Sequence, residues 1–109
     1  ADNWLRQVEA VSTRHGAILS AIADPERRLD ALCELNVIEQ VVNVARTTVI
    51  QDAWARDQQL TLHGWVYSIR DGLLRDLDLV VSSPQEVLPN YRDVLTKIAG
   101  NAGLRPGAG

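Results

Sequence analysis

Few side chains in this sequence could do chemistry: two histidines, His15 and His63, one cysteine, Cys33, and three closely spaced aspartates, Asp71, Asp76 and Asp78. A catalytic or metal-bound histidine needs partners at a spacing that brings them to one side of an element. Three residues after His15 stands Ile18, and three after His63 stands Val66, so neither histidine has a second ligand close by. His63 falls in a strand-like run and reads as a structural histidine bonding a backbone group. His15 falls on the apolar stripe of a helix and reads as a packing residue. Cys33 lies on an apolar helical face with no adjacent base, which argues against a nucleophile. As the single cysteine it can form no internal disulfide, and it is too few for a zinc knuckle. Strand alternation puts only Asp76 and Asp78 on a common face, as solvated edge-strand acids. Gly64 and Gly72 precede no helix and so form no phosphate loop. From the residues alone, the expectation is no catalytic, cofactor-binding or metal-binding residue in this chain.

The elements that would carry these side chains can be read from periodicity. Trp4, Val8, Val11, Ile18 and Ile22 recur at helical spacing, and Gly16 marks a bend or break in that helix. Asp24, Pro25 and Glu26 form a helix start, and the short helix that follows is expected to bury Leu29, Leu32 and Cys33. A new start is expected at Asn36, with Glu39 at the capping-box position. Residues 37–46 are rich in β-branched side chains, yet Glu39, Gln40, Asn43 and Arg46 gather on one narrow helical face. The segment is therefore expected to be a helix buried on more than one side. Thr48 and Gln51 repeat the capping-box pattern before a helix through Val49, Ile50, Ala53 and Trp54, which ends at Asp57 and Gln58.

Residues 60–67 alternate as a strand, with Leu60, Leu62 and Val66 on one side and Thr61, His63, Trp65 and Tyr67 on the other. Trp65 and Tyr67 are expected to pack under helices of the same chain. A turn over residues 68–72 leads to a second strand, 73–81, carrying Asp76 and Asp78 outward. Ser83 and Pro84 open a last helix through Val87, Leu88, Tyr91, Val94, Leu95 and Ile98, with a disturbance expected at Pro89 and a stop at Gly100. A two-stranded sheet is marginal alone. A buried helix leading into a strand is the second half of a βαβ unit, so a strand is missing upstream.

The 109 residues are 46% hydrophobic and 23% charged, a globular composition with a net charge of −3. Six arginines face nine acids in residues 1–57, five basic residues face five acids beyond, and Lys97 is the only lysine. No basic stripe is present to displace counterions, which argues against nucleic-acid binding. No apolar run approaches the ~18–20 residues needed to cross a bilayer. The first residues, Ala1, Asp2, Asn3 and Trp4, lack the basic-then-apolar pattern of a signal peptide. A soluble, cytoplasmic protein without a membrane partner is expected.

The run of residues 26–42, containing Cys33-Glu34-Leu35-Asn36-Val37, resembles the helical segment of bacterial β-class carbonic anhydrases. So do Ala53-Trp54, the run His63-Gly64-Trp65-Val66-Tyr67, and residues 71–79, with a looser likeness back to Trp4 and forward to Tyr91 and Arg92. The likeness covers only the C-terminal half of such an enzyme. It implies an α/β fold: the C-terminal part of an α/β sandwich, mainly helices plus a β-hairpin made of the last parallel strand and an antiparallel edge strand that lies, in the family, at contacts between dimers. It also implies that residues 1–100 are the C-terminal half of one domain, with 101–109 a flexible tail. Family members hydrate carbon dioxide reversibly to bicarbonate with a zinc-bound hydroxide. The metal lowers the water's pKa to about 7, for which carbonic anhydrase is itself the standard example rather than anything read from these residues. The family's zinc is held by Cys-x-Asp-x-Arg and His-x-x-Cys motifs. Cys33 is followed by Glu34 and Leu35, and neither His15 nor His63 is followed by the required cysteine, so no ligand is carried over. Zinc is thus expected in a parent enzyme and not on this chain, which alone is expected to be inactive. The expected partners are the N-terminal half of that parent, further copies of the chain, or both. A non-catalytic helical interaction module derived from the same fold is the alternative.

Overall fold

A computed structural model describes residues 2–67 and 72–100, with side chains from Arg6 onward. The expected turn at residues 68–71, the tail at 101–109 and the Trp4 side chain lie outside the described residues. The elements are α1 (Asp2–Arg14), α2 (Gly16–Ser20), α3 (Pro25–Ala45), α4 (Thr48–Ala55), β1 (Leu62–Tyr67), β2 (Leu74–Val81), a 3₁₀ turn (Pro84–Glu86) and α5 (Val87–Ala99). Helices with one antiparallel strand pair match the α/β class expected from the sequence.

The first helix breaks where Gly16 suggests, with His15 at the junction between α1 and α2 and buried there. The Asp24 carboxylate accepts from the Glu26 backbone N–H at 3.2 Å and opens α3, with Pro25 in the first turn where its missing N–H costs nothing. Arg28 closes the approach to this helix by donating from Nε and Nη2 to the Ile22 carbonyl at 3.0 and 2.9 Å.

From Pro25 to Ala45, α3 is continuous, so the expected second start at Asn36 is wrong. A capping pattern is a local signal. Asn in a helix interior costs only about 0.7 kcal/mol, too little to break a helix whose neighbours Leu35 and Ile38 are fully buried. Leu29 and Cys33, expected to be buried, are exposed. Glu39, expected on one narrow polar face with Gln40, Asn43 and Arg46, is 3% exposed. Its burial is offset by a hydrogen bond from the Tyr91 hydroxyl. Val44 is 44% exposed, so the apolar girth of this stretch is only partly covered.

The α4 cap sits one residue earlier than the sequence pattern indicates. Thr47, in extended conformation, accepts from the Ile50 N–H, while the Gln51 side chain reaches back to donate to the Ala45 carbonyl at 2.7 Å. Asp57 adopts φ 61 at the end of this helix. Ser83 makes no side-chain cap; the chain instead enters α5 through the 3₁₀ turn, and Pro89 falls in the first turn of α5 without interrupting it.

By Cα packing the chain divides into two units: residues up to Asn36 together with those from Leu95 onward, and Val37–Val94. In the first, Val11, Leu19, Ile22, Ala31, Leu35 and Ile98 are buried. In the second, the buried apolar residues include Ile38, Val41, Val42, Trp54, Leu79 and Val81.

Candidate functional site

The second unit holds the strand pair that the sequence marks as incomplete. Trp54 at the end of α4 donates from Nε1 to the Leu60 carbonyl at 2.9 Å, fixing where the chain enters β1. Along β1, Gly64 is buried against α3. A Cβ there would meet Leu79 at 3.5 Å and the Val37 and Val41 side chains at 3.6 Å, ordinary van der Waals contact. Antiparallel pairing runs from Leu62 opposite Val81 to Tyr67 opposite Leu74, with an irregularity between His63 and Trp65. On the β2 side of that irregularity Asp78 has φ 62, and its N–H donates to the Asp76 carboxylate at 2.8 Å. Among the described residues the sheet has only these two strands, and β1 has a strand on one side only.

Leu79 and Val81 of β2 point into the core, as alternation requires. The opposite face carries His63, Trp65 and Tyr67 from β1, paired with Val80, Asp76 and Leu74. Trp65 is 47% exposed and Tyr67 61% exposed, so the expectation that helices of this chain cover them is wrong. Alternation correctly assigns these rings to one face; it says nothing about whether a helix lies on that face.

The remaining side chains of chemical interest are not brought together. His15 is buried at the α1–α2 junction, whereas His63 is exposed on β1. The Cys33 thiol is raised above its ordinary pKa, first by desolvation and then by the nearby Asp30 and Glu34 carboxylates. That is the opposite of an activated nucleophile. Asp76 and Asp78 lie exposed on β2, and Asp71 lies outside the described residues. Among the described residues no three His, Cys, Asp or Glu side chains gather as a metal-binding group. The donors among the described residues do not fit a zinc ion.

An open cleft of about 830 Å³ lies between the end of α4 and the β2–α5 junction, with Gln51, Asp57, Gln59, Thr61 and Ser82 in its lining. The Thr61 and Ser82 hydroxyls are 3.0 Å apart and hydrogen-bonded to each other. Amides, hydroxyls and one carboxylate make a polar surface without a nucleophile–base pair. Sequence reasoning did not single out the pairing of buried Glu39 with half-buried Tyr91, because the two are 52 residues apart and nothing in the local pattern links them. No helix among the described residues is long and apolar enough to cross a membrane.

Comparison with known proteins gives one consistent answer. The family profile described as carbonic anhydrase matches residues 1–74. A carbonic anhydrase of Emericella nidulans is 41% identical over 76 residues, which cover 70% of this chain and 33% of that protein. One of Pseudomonas aeruginosa is 37% identical over 75 residues, 69% of this chain and 33% of that protein. Among solved structures, the β-carbonic anhydrase of Coccomyxa in complex with acetazolamide superposes with a TM-score of 0.70 at 28% identity, covering 86% of this chain and 44% of that one. The chain therefore spans about a third of the length of the curated relatives it matches.

Proposed function

This chain belongs to the β-class carbonic anhydrase family, and from that premise we propose that it is the scaffold portion of a zinc-dependent enzyme that interconverts carbon dioxide and bicarbonate. The zinc ligands of that enzyme lie outside the 109 residues, and the portion present contributes helices, the terminal strand pair and oligomer contacts. The partner of this portion is the remainder of the same domain, further copies of the chain, or both, and the assembled enzyme works in the cytoplasm. The chain alone neither holds zinc nor turns over substrate.

The observation that carries this reading is that, among the described residues, β1 pairs on one side only. A strand with one neighbour, next to a helix that is only partly covered, is what remains of a parallel sheet when its preceding strand is supplied from elsewhere. The side chains of this chain bind no substrate in this reading; they hold the last strand in place for the part that does.

The test is a zinc titration and a carbon dioxide hydration assay on the purified 109-residue chain, repeated after adding the zinc-ligand-bearing segment of a family member. The expected results are no tight zinc and background turnover alone, with both gained on complementation. Stoichiometric zinc and activity in the lone chain overturn the assignment of the ligands to another segment. A lone chain that never gains either on complementation favours the interaction module instead.

A further inference from the structure

The outer edge of β2 does not end in bare backbone. Over residues 78–82, three backbone groups two residues apart in sequence are each taken by a side chain. The Asp78 N–H donates to the Asp76 carboxylate at 2.8 Å, the Val80 carbonyl accepts from Asn90 Nδ2 at 2.7 Å, and the Ser82 N–H donates to Glu86 Oε1 at 2.8 Å. In an extended chain, groups two residues apart point to the same edge. Val80 and Ser82 are so related, and theirs are the groups an added strand would use, whereas left-handed Asp78 is held by a local turn bond to Asp76. Asn90 comes from the first turn of α5 and Glu86 from the 3₁₀ turn before it, so the chain folds back and presents side-chain donors and acceptors where a third strand would present its own. The left-handed residue Asp78 and the register irregularity beside it disturb the same stretch, a second device that discourages edge pairing.

We propose that Glu86 and Asn90 close the C-terminal end of the β2 edge against strand addition. Edge-to-edge association through this part of β2 is blocked by side chains that mimic a neighbouring strand. Opening the block exposes a carbonyl and an N–H beside Leu79 and Val81, a β-prone apolar stretch suited to pairing with its copy.

Sedimentation velocity across a concentration series compares the wild-type chain with the pair E86A/N90A and with the conservative pair E86Q/N90Q. Far-UV circular dichroism checks the fold of each. The expected result is that E86A/N90A forms a larger species at a concentration about tenfold below any at which the wild type does, while E86Q/N90Q behaves as the wild type. If E86A/N90A loses its helical signal, the single variants E86A and N90A carry the same comparison, each with a smaller shift. Folded alanine variants that sediment as the wild type does overturn the proposal.

Discussion

Cys33 is exposed on α3, yet its thiol is raised above the usual value by desolvation of the sulfur and then by Asp30 and Glu34. Accessibility and reactivity therefore point in opposite directions, because the thiolate is the nucleophile. Raising the pKa leaves less thiolate at neutral pH, so iodoacetamide should alkylate Cys33 more slowly in the folded chain than in the urea-unfolded chain at pH 7.5. The gap should close as pH rises through the folded value. Equal rates at pH 7.5 would contradict the assigned environment. At the other polar site of note, Glu39 is buried and accepts from the Tyr91 hydroxyl. Tyr91→Phe removes that donor from a buried acceptor and is expected to cost about 1–3 kcal/mol, read as a lower urea midpoint with an unchanged slope.

Helix ends decide where the elements of the second unit begin. Thr47 accepts the Ile50 N–H, whereas Thr48 is already inside α4. Thr47→Ala should therefore cost about 1 kcal/mol locally, seen as roughly fivefold faster hydrogen exchange at the Ile50 amide. Thr48→Ala should change it little. The reverse ranking would restore the capping box that the sequence pattern suggests. The same logic explains α3: the Asp24 cap and Pro25 fix its start, and burial of Leu35 and Ile38 carries it through Asn36. Trp54 then ties the end of α4 to Leu60, and Gly64 of β1 lies against Val37 and Val41.

At the scale of the whole molecule, the apolar surface left in water is the main fact. Trp65, Tyr67 and Leu74 share one face of the strand pair and are 47%, 61% and 57% exposed. Contiguous apolar patches beyond a few hundred Å² imply a partner or aggregation. The isolated chain is therefore expected to pair with the rest of its domain or to self-associate, rather than to persist as a stable 12.0 kDa monomer. Size-exclusion chromatography with light scattering measures this directly. A monodisperse monomer with a cooperative melt would show that the exposed face needs no cover.

Local chemistry made much of this legible in the sequence. The break beside Gly16, the start at Asp24 and the inward alternation of Leu79 and Val81 all follow from signals a few residues long. The family words around Cys33 and His63 supplied the relationship. Tertiary structure decided the rest. Only packing could show that α3 runs through a capping pattern, because burial on both sides of Asn36 outweighs the small local preference of one residue. Glu39 became a buried residue because Tyr91, far along the chain, comes back to donate to it. Trp65 and Tyr67 stayed exposed because alternation assigns a side chain to a face, while cover for that face depends on which segments pack there.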